Sequence, residues 1–125
     1  MSNLVVSNIS DGSTSVGTGY VVNGSAKAWV NFNARNTAVI RDSFNVGSMV
    51  DAGTGEHVIN FSSTMSNSSY SVTNSVNGYS VVSGAMTEIT AYTASSYLVR
   101  GMNPQSSYAN ADFETQSCAT HGDLA

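Results

Sequence analysis

Ala26-Lys27-Ala28-Trp29-Val30-Asn31-Phe32-Asn33 alternates with a period of two. Ala28, Val30 and Phe32 fall on one side; Lys27, Trp29, Asn31 and Asn33 fall on the other. This is the pattern of a half-buried β-strand. Two further β-rich runs follow. One is Ile40-Arg41-Asp42-Ser43-Phe44-Asn45-Val46. The other is the glycine turn and strand Asp51-Ala52-Gly53-Thr54-Gly55-Glu56-His57-Val58-Ile59-Asn60-Phe61. The chain's single Trp sits on the polar side of the first strand. An indole among Lys and Asn fits a second chain lying against that face better than it fits a monomer core. A core position reached through a local bulge, or a stacking platform for a sugar ring, are the alternatives.

Outward from this block, strand signals recur about every ten residues, the spacing of an all-β domain. The candidates are 26–33, 37–41, 44–50, 56–62, 69–75, 78–83, 87–93, 96–101 and 110–119. Asp51 to Gly55 should close a hairpin, and Asn77-Gly78 carries the strongest short hairpin signal. Ile59/Phe61 and Tyr70/Val72 read as inward pairs. The lone proline, Pro104, marks a loop before the last strand. No window has a convincing helical period, although Thr64 to Ser69 has room for one turn, and no internal repeat is seen. Residues 1–25 read as an extended N-terminal arm with one or two short strands. The arm is too poor in apolar residues to build a core and needs a partner to order it. The fold expected is an antiparallel β-sandwich or jelly-roll-like barrel of about eight strands over residues 26–125.

At 125 residues the chain has the length of one domain. Charged residues make up 10% of it, against a usual figure of about 25%; Ser, Thr and Asn replace them. Such a surface suits packing on neutral surfaces, copies of itself included. The net charge is −4, and the four cations Lys27, Arg35, Arg41 and Arg100 are dispersed. Phosphate neutralisation needs clustered cations, so nucleic acid is excluded as a partner. A membrane-surface role fails for the same reason, and no apolar run approaches the roughly 20 residues of a membrane span. The start lacks a signal-peptide pattern, which implies synthesis in a cytoplasm. One cysteine, Cys118, forbids an internal disulfide and reads as a free thiol. Sequons such as Asn8-Ile9-Ser10 are expected by chance in so Ser/Asn-rich a chain.

No constellation carries catalysis. There is no Gly-x-Ser-x-Gly elbow and no Gly-rich phosphate loop before a helix. The one close acid pair, Asp112 and Glu114, would share a face if 110–119 is a strand. It is the only feature a hydrolase reading could use, since glycoside hydrolysis needs converging carboxylates. His57 and His121 lack metal-ligand spacing and read as hydrogen-bonded surface histidines. No metal or cofactor is expected. Arg41 should meet an acid on a neighbouring strand or chain. The second half is rich in Tyr among Ser and Asn, the composition of adaptable binding surfaces, which makes Tyr92, Tyr97 and Tyr108 candidate ligand contacts. Ordinary strand tyrosines are the alternative. Lys27, Trp29, Asn31, Asn33 and Arg41 are the candidate oligomer-interface residues.

The runs AKAWVNFN, VIRDSFNV and DAGTGEHVINF, over about residues 24 to 70, resemble a repetitive pattern near the C-termini of tail-fibre and other virion structural proteins of tailed bacteriophages, especially marine ones. The ending His121-Gly122-Asp123-Leu124-Ala125 is similar to the usual F-G-D-L-A end of such chains. Two positions depart from the pattern: the insert Ala34-Arg35-Asn36-Thr37 is not Gly-rich, and His57 stands where an aromatic is common. The resemblance implies a non-enzymatic virion protein and, by analogy with tail fibres, a homotrimer. It implies a short tail-fibre or tail-tip protein whose β domain contacts a host-surface carbohydrate. The alternative is a capsid decoration or head-fibre protein, whose arm grips the major capsid protein and stabilises the head.

Overall fold

The computed structural model describes residues 1–77 and 84–125. Eleven strands and one short helix are placed among them: β1 (Asn8–Ser10), β2 (Ser15–Gly17), α1 (Thr18–Gly24), β3 (Ala28–Asn33), β4 (Val39–Phe44), β5 (Val46–Gly53), β6 (Glu56–Phe61), β7 (Ser71–Asn77), β8 (Met86–Thr90), β9 (Ser96–Asn103), β10 (Ala109–Asn110) and β11 (Thr115–His121). The class is all-β and antiparallel, with more strands than the eight expected. The candidate strand at 78–83 and the Gly78 of the Asn-Gly signal lie outside the described residues.

Two sheets form a sandwich. One has the order β4-β3-β11-β7; the other runs β10-β9-β6-β5, with β8 also on β9. Met102 pairs with both Met86 of β8 and Asn110 of β10. Those two strands therefore occupy opposite edges of β9, and β10 continues the edge that β6 leaves at Glu56↔Arg100. The chain changes sheets between β4 and β5 through one residue. Asn45 adopts φ 54°, and its amide donates to the Lys27 and Ser63 carbonyls while its Oδ1 accepts from the Ser63 N–H. Asn tolerates this left-handed conformation, so the corner is closed by residue choice.

The period-two pattern converts directly into burial. Ala28, Val30 and Phe32 of β3 are buried, as are His57, Ile59 and Phe61 of β6, Tyr97 and Val99 of β9, and Gln116, Cys118 and Thr120 of β11. Tyr70 closes one end: its ring meets Phe61 and Tyr97, and its hydroxyl donates to the Ser96 carbonyl at 2.7 Å. Burial pushes the Tyr70 hydroxyl up to about 12. Cys118 is a buried free thiol whose pKa burial lifts to about 11. It stays protonated at neutral pH and is a poor nucleophile.

His57 corrects an expectation. It is fully buried, not a surface residue, and neither ring nitrogen has a hydrogen-bond partner. Its ring lies 5.4 Å from that of Phe32 across the sandwich. The imidazole here packs as an aromatic ring. Burial lowers the His57 pKa, while the nearby Asp51 and Asp112 carboxylates partly oppose that shift. The folded chain thus refuses a proton that the unfolded chain accepts. Stability is complete above the unfolded pKa of about 6.5 and falls as the pH drops below it. Each pH unit over which this holds costs about 1.4 kcal/mol. A melting series from pH 7.5 to 5 should therefore fall for the wild type and flatten for His57→Leu. Equal slopes would refute this assignment.

Residues 1–25 form no strand of either sandwich sheet. Asp11 Oδ1 caps a tight turn by accepting from the N–H groups of Ser13 and Thr14, and β1 pairs with β2 around it. These bonds also lower the Asp11 pKa. Helix α1 departs from the sequence expectation, which placed no helix. It has seven residues, no side-chain cap at Gly17 and no buried position, so neither a cap nor a periodicity announces it. The arm's apolar side chains face outward, with Leu4 86% and Val5 91% exposed and Tyr20 and Val22 also well exposed.

Candidate functional site

The outer face of the β4-β3-β11-β7 sheet is the first candidate. Alternation along β3 turns Trp29, Asn31 and Asn33 away from the core. The bulge between Asn31 and Phe32 does not bring Trp29 inside; it remains 38% exposed. This removes the core alternative. Its cross-strand partner on β4 is Phe44, 56% exposed, and Ala119 flanks it on β11. Trp29, Asn31, Thr73, Ser75, Ser117 and Ala119 line a shallow groove of about 340 Å³. The surface is an aromatic strip beside rows of hydroxyls and amides.

The remaining interface candidates serve the face in different ways. Asn31 donates to Ser117 Oγ at 2.7 Å. Arg41 was expected to meet an acid on a neighbouring strand or chain; among the described residues of this chain it meets none. Its guanidinium donates to Thr115 Oγ1 at 3.0 Å, to the Glu114 carbonyl at 2.6 Å and to Asn31 Oδ1 at 3.4 Å. The bulge carries Arg41 over β3 toward β11, where a carbonyl takes the place of the carboxylate. Asn33 clamps the next loop: its Oδ1 accepts from the Arg35 N–H and its amide donates to the Arg35 carbonyl. Lys27 turns back to Ser25, bonding its carbonyl at 2.6 Å and its hydroxyl at 3.0 Å. Among the interface candidates it is Trp29 that presents a large apolar surface there, beside Phe44, which sequence reasoning missed. Phe44 gave little signal, because its partner strand could not be assigned without the register.

The three candidate ligand tyrosines do not converge. Tyr97 is 1% exposed and sits in the core beside Cys118, its hydroxyl pKa raised by burial. It is corrected to a packing residue, since β9 alternation aims it inward. Tyr92 leans on Tyr70 with ring centroids 5.2 Å apart, near the Ser96 end of β9. Tyr108 is 59% exposed beyond the opposite end, past Asn103. The eight residues of β9 separate them by about 25 Å. Asp112 and Glu114 lie between β10 and β11 rather than in the expected strand, and Phe113 between them is buried in the core. Among the described residues no group of His, Cys, Asp or Glu is arranged to hold a metal ion, and no helix is long and apolar enough to cross a membrane.

At the Tyr108 end, loops from both sheets meet. Arg35 and Asn36 follow β3, Thr54 tips the β5–β6 turn, Asn110 ends β10, and Ala111 and Asp112 lead on toward β11. Together they line a polar pocket of about 430 Å³. Asp112 Oδ1 accepts the Gly55 N–H at 2.6 Å, Gly101 N–H donates to the Gly55 carbonyl, and the Ala111 N–H donates to the Gly101 carbonyl. Glu56 holds the Asn110 amide and the Arg100 guanidinium, and Arg100 also pairs with Glu88 at 3.0 Å. Gly55 is central to this construction. It has φ +72°, and a Cβ there would lie 2.6 Å from the Ala111 nitrogen and 2.7 Å from the Gly101 oxygen. Gly55→Ala should cost about 2 kcal/mol, combining left-handed strain with backbone displacement. Gly24→Ala, in open space, should cost next to nothing. Urea midpoints of the two variants test the difference, and equal midpoints would dismiss the packing role of Gly55.

No protein-family model, curated protein or solved structure matches the chain.

Proposed function

We propose that this chain is a non-enzymatic structural protein of a tailed-bacteriophage virion. In this reading it is a short tail-fibre or tail-tip protein that works as a homotrimer in host recognition. The observation that carries the assembly part is the pair of apolar surfaces left uncovered on one chain: the Trp29–Phe44 strip and the arm around Leu4, Val5, Tyr20 and Val22. Free monomers rarely expose both, and surfaces of this kind mark interfaces. The trimer number and the virion setting rest on the AKAWVNFN, VIRDSFNV and DAGTGEHVINF resemblance. Few charges guard the sheet edges, and assembly protects such edges.

The arm gives specific support to a second reading, capsid decoration. A hairpin and helix with outward apolar side chains suit insertion into a capsid shell, and the β domain would then clamp neighbouring subunits. Decorating copies should be strippable, with a loss of the temperature the head survives. A tail-tip protein should leave head stability unchanged when removed. Measuring genome release on heating, with and without the protein, separates the two.

A further inference from the structure

We propose that Asn23-Gly24, at the C-terminal end of α1, is a site of spontaneous deamidation, and that the modification unwinds the helix. The site does not depend on the virion reading; only its consequence for assembly rests on that reading. Glycine has no side chain to shield its backbone nitrogen and has the widest choice of backbone conformations, so an Asn followed by Gly closes a ring readily. The Gly24 nitrogen gives its proton to solvent base and attacks Cγ of Asn23. A C–N bond forms, and the side-chain amide leaves as ammonia, taking up the proton that the glycine gave. Water then opens the five-membered imide. Cleavage at Cγ yields aspartate; cleavage at the main-chain carbonyl yields isoaspartate. One water is consumed and one ammonia released, with no change in oxidation state. The formal net charge moves by one unit, from −4 to −5.

The surroundings of Asn23 leave the ring closure open. Both residues of the pair are exposed. Ring closure needs the last turn of α1 to open, and this helix has seven residues, no side-chain cap and no buried position. Helices so short are marginal without packing. A Cβ at Gly24 would meet nothing within 4 Å, and the nearest feature to Asn23 Nδ2 on the preceding turn is Gly19, which has no side chain. Asp11-Gly12, which could close the same ring, is held instead. The Gly12 N–H donates to Ser10 Oγ at 3.0 Å, and Asp11 Oδ1 accepts from the Ser13 and Thr14 N–H groups. Nucleophile and electrophile are both occupied there. The product at Asn23 opposes the helix. Its carboxylate sits at the negative end of the helix dipole, in a last turn that has no basic residue. Isoaspartate also lengthens the main chain by one carbon and breaks the i→i−4 register. Since α1 carries the exposed Tyr20, Val21 and Val22, unwinding scatters part of the apolar surface of the arm.

Incubation of the intact chain at 37 °C, at pH 6 and at pH 8, followed by peptide mapping and an isoaspartate assay, tests the site. The chain unfolded in urea at the same two pH values sets the clock. Folded Asn23 should convert to a mixture of isoaspartate and aspartate, faster at pH 8, while Asp11 keeps its normal linkage. Asn77-Gly78, the chain's other Asn-Gly pair, is read on a separate peptide. Gly24→Ala, which has room for its methyl group, should abolish the conversion over the same interval. The structural consequence is read by amide NMR of Asn23→Asp. Residues 18–24 should lose their helical shifts while the strands of both sandwich sheets keep theirs, and Asn23→Gln should retain the helix. An Asn23 that stays intact in the folded chain after the unfolded chain has converted, or a conversion undiminished in Gly24→Ala, would overturn the site. Helical shifts preserved in both Asn23→Asp and the deamidated chain would overturn the unwinding. An unchanged native mass after deamidation would overturn the link to assembly and leave the site standing.

Discussion

Phe32→Ala is expected to remove about 3–5 kcal/mol of stability. Phe32 is fully buried on β3, and its ring faces His57 across the sandwich at 5.4 Å. The substitution deletes a large apolar side chain and leaves a cavity between two sheets whose strands are held by hydrogen-bonded partners on either side, so collapse around the gap is limited. A domain of this size has roughly 5–15 kcal/mol in total, and the variant should sit near its unfolding threshold at 37 °C. The loss also reaches His57. With space beside it the imidazole can be hydrated and protonated in the folded chain, so the acid-dependent fall in stability should shrink. Phe32→Leu should cost less and keep most of the pH dependence. Urea unfolding at pH 7.5 and at pH 5.5 measures both effects. A Phe32→Ala cost below about 1 kcal/mol would contradict the packing described for β3 and β6.

Trp29→Ala should dissociate the proposed homotrimer. The indole is half exposed on a sheet face, opposite Phe44, and contributes little to the core. Its removal should therefore leave the melting temperature of the dissociated domain within a few degrees of wild type. At an interface, a buried Trp commonly carries 2 kcal/mol or more, which weakens each contact about 30-fold. Phe44→Ser should act in the same direction. Native mass spectrometry at micromolar concentration would show trimer for the wild type and monomer for Trp29→Ala. A wild-type monomer, or a trimer indifferent to both substitutions, would refute the interface assignment.

What could be read from the residues alone follows a physical divide. Period-two alternation placed β3, β6 and β9 and the buried and exposed sides of β3, because each of these strands has one face in the core. The Asp51–Gly55 turn was legible from its glycines. Helix α1 was not, since it has no cap and buries nothing. Asp112 and Glu114 were assigned to a strand that begins only at Thr115, because the buried Phe113 imitates alternation. His57 was misplaced for a different reason: imidazole is usually polar, and only the packing of the two sheets, which sets it against Phe32, shows it acting as an apolar ring. The same limit hid the polar pocket. Arg35, Thr54 and Asp112 are distant in sequence, and only the sandwich brings their loops to one end.

The most direct test of the central proposal is gold-labelled antibody against this chain on intact virions. Label at the tail end is the predicted result. Label scattered over the head would contradict the tail-tip reading and establish the decoration role, and particles without label would remove the chain from the virion.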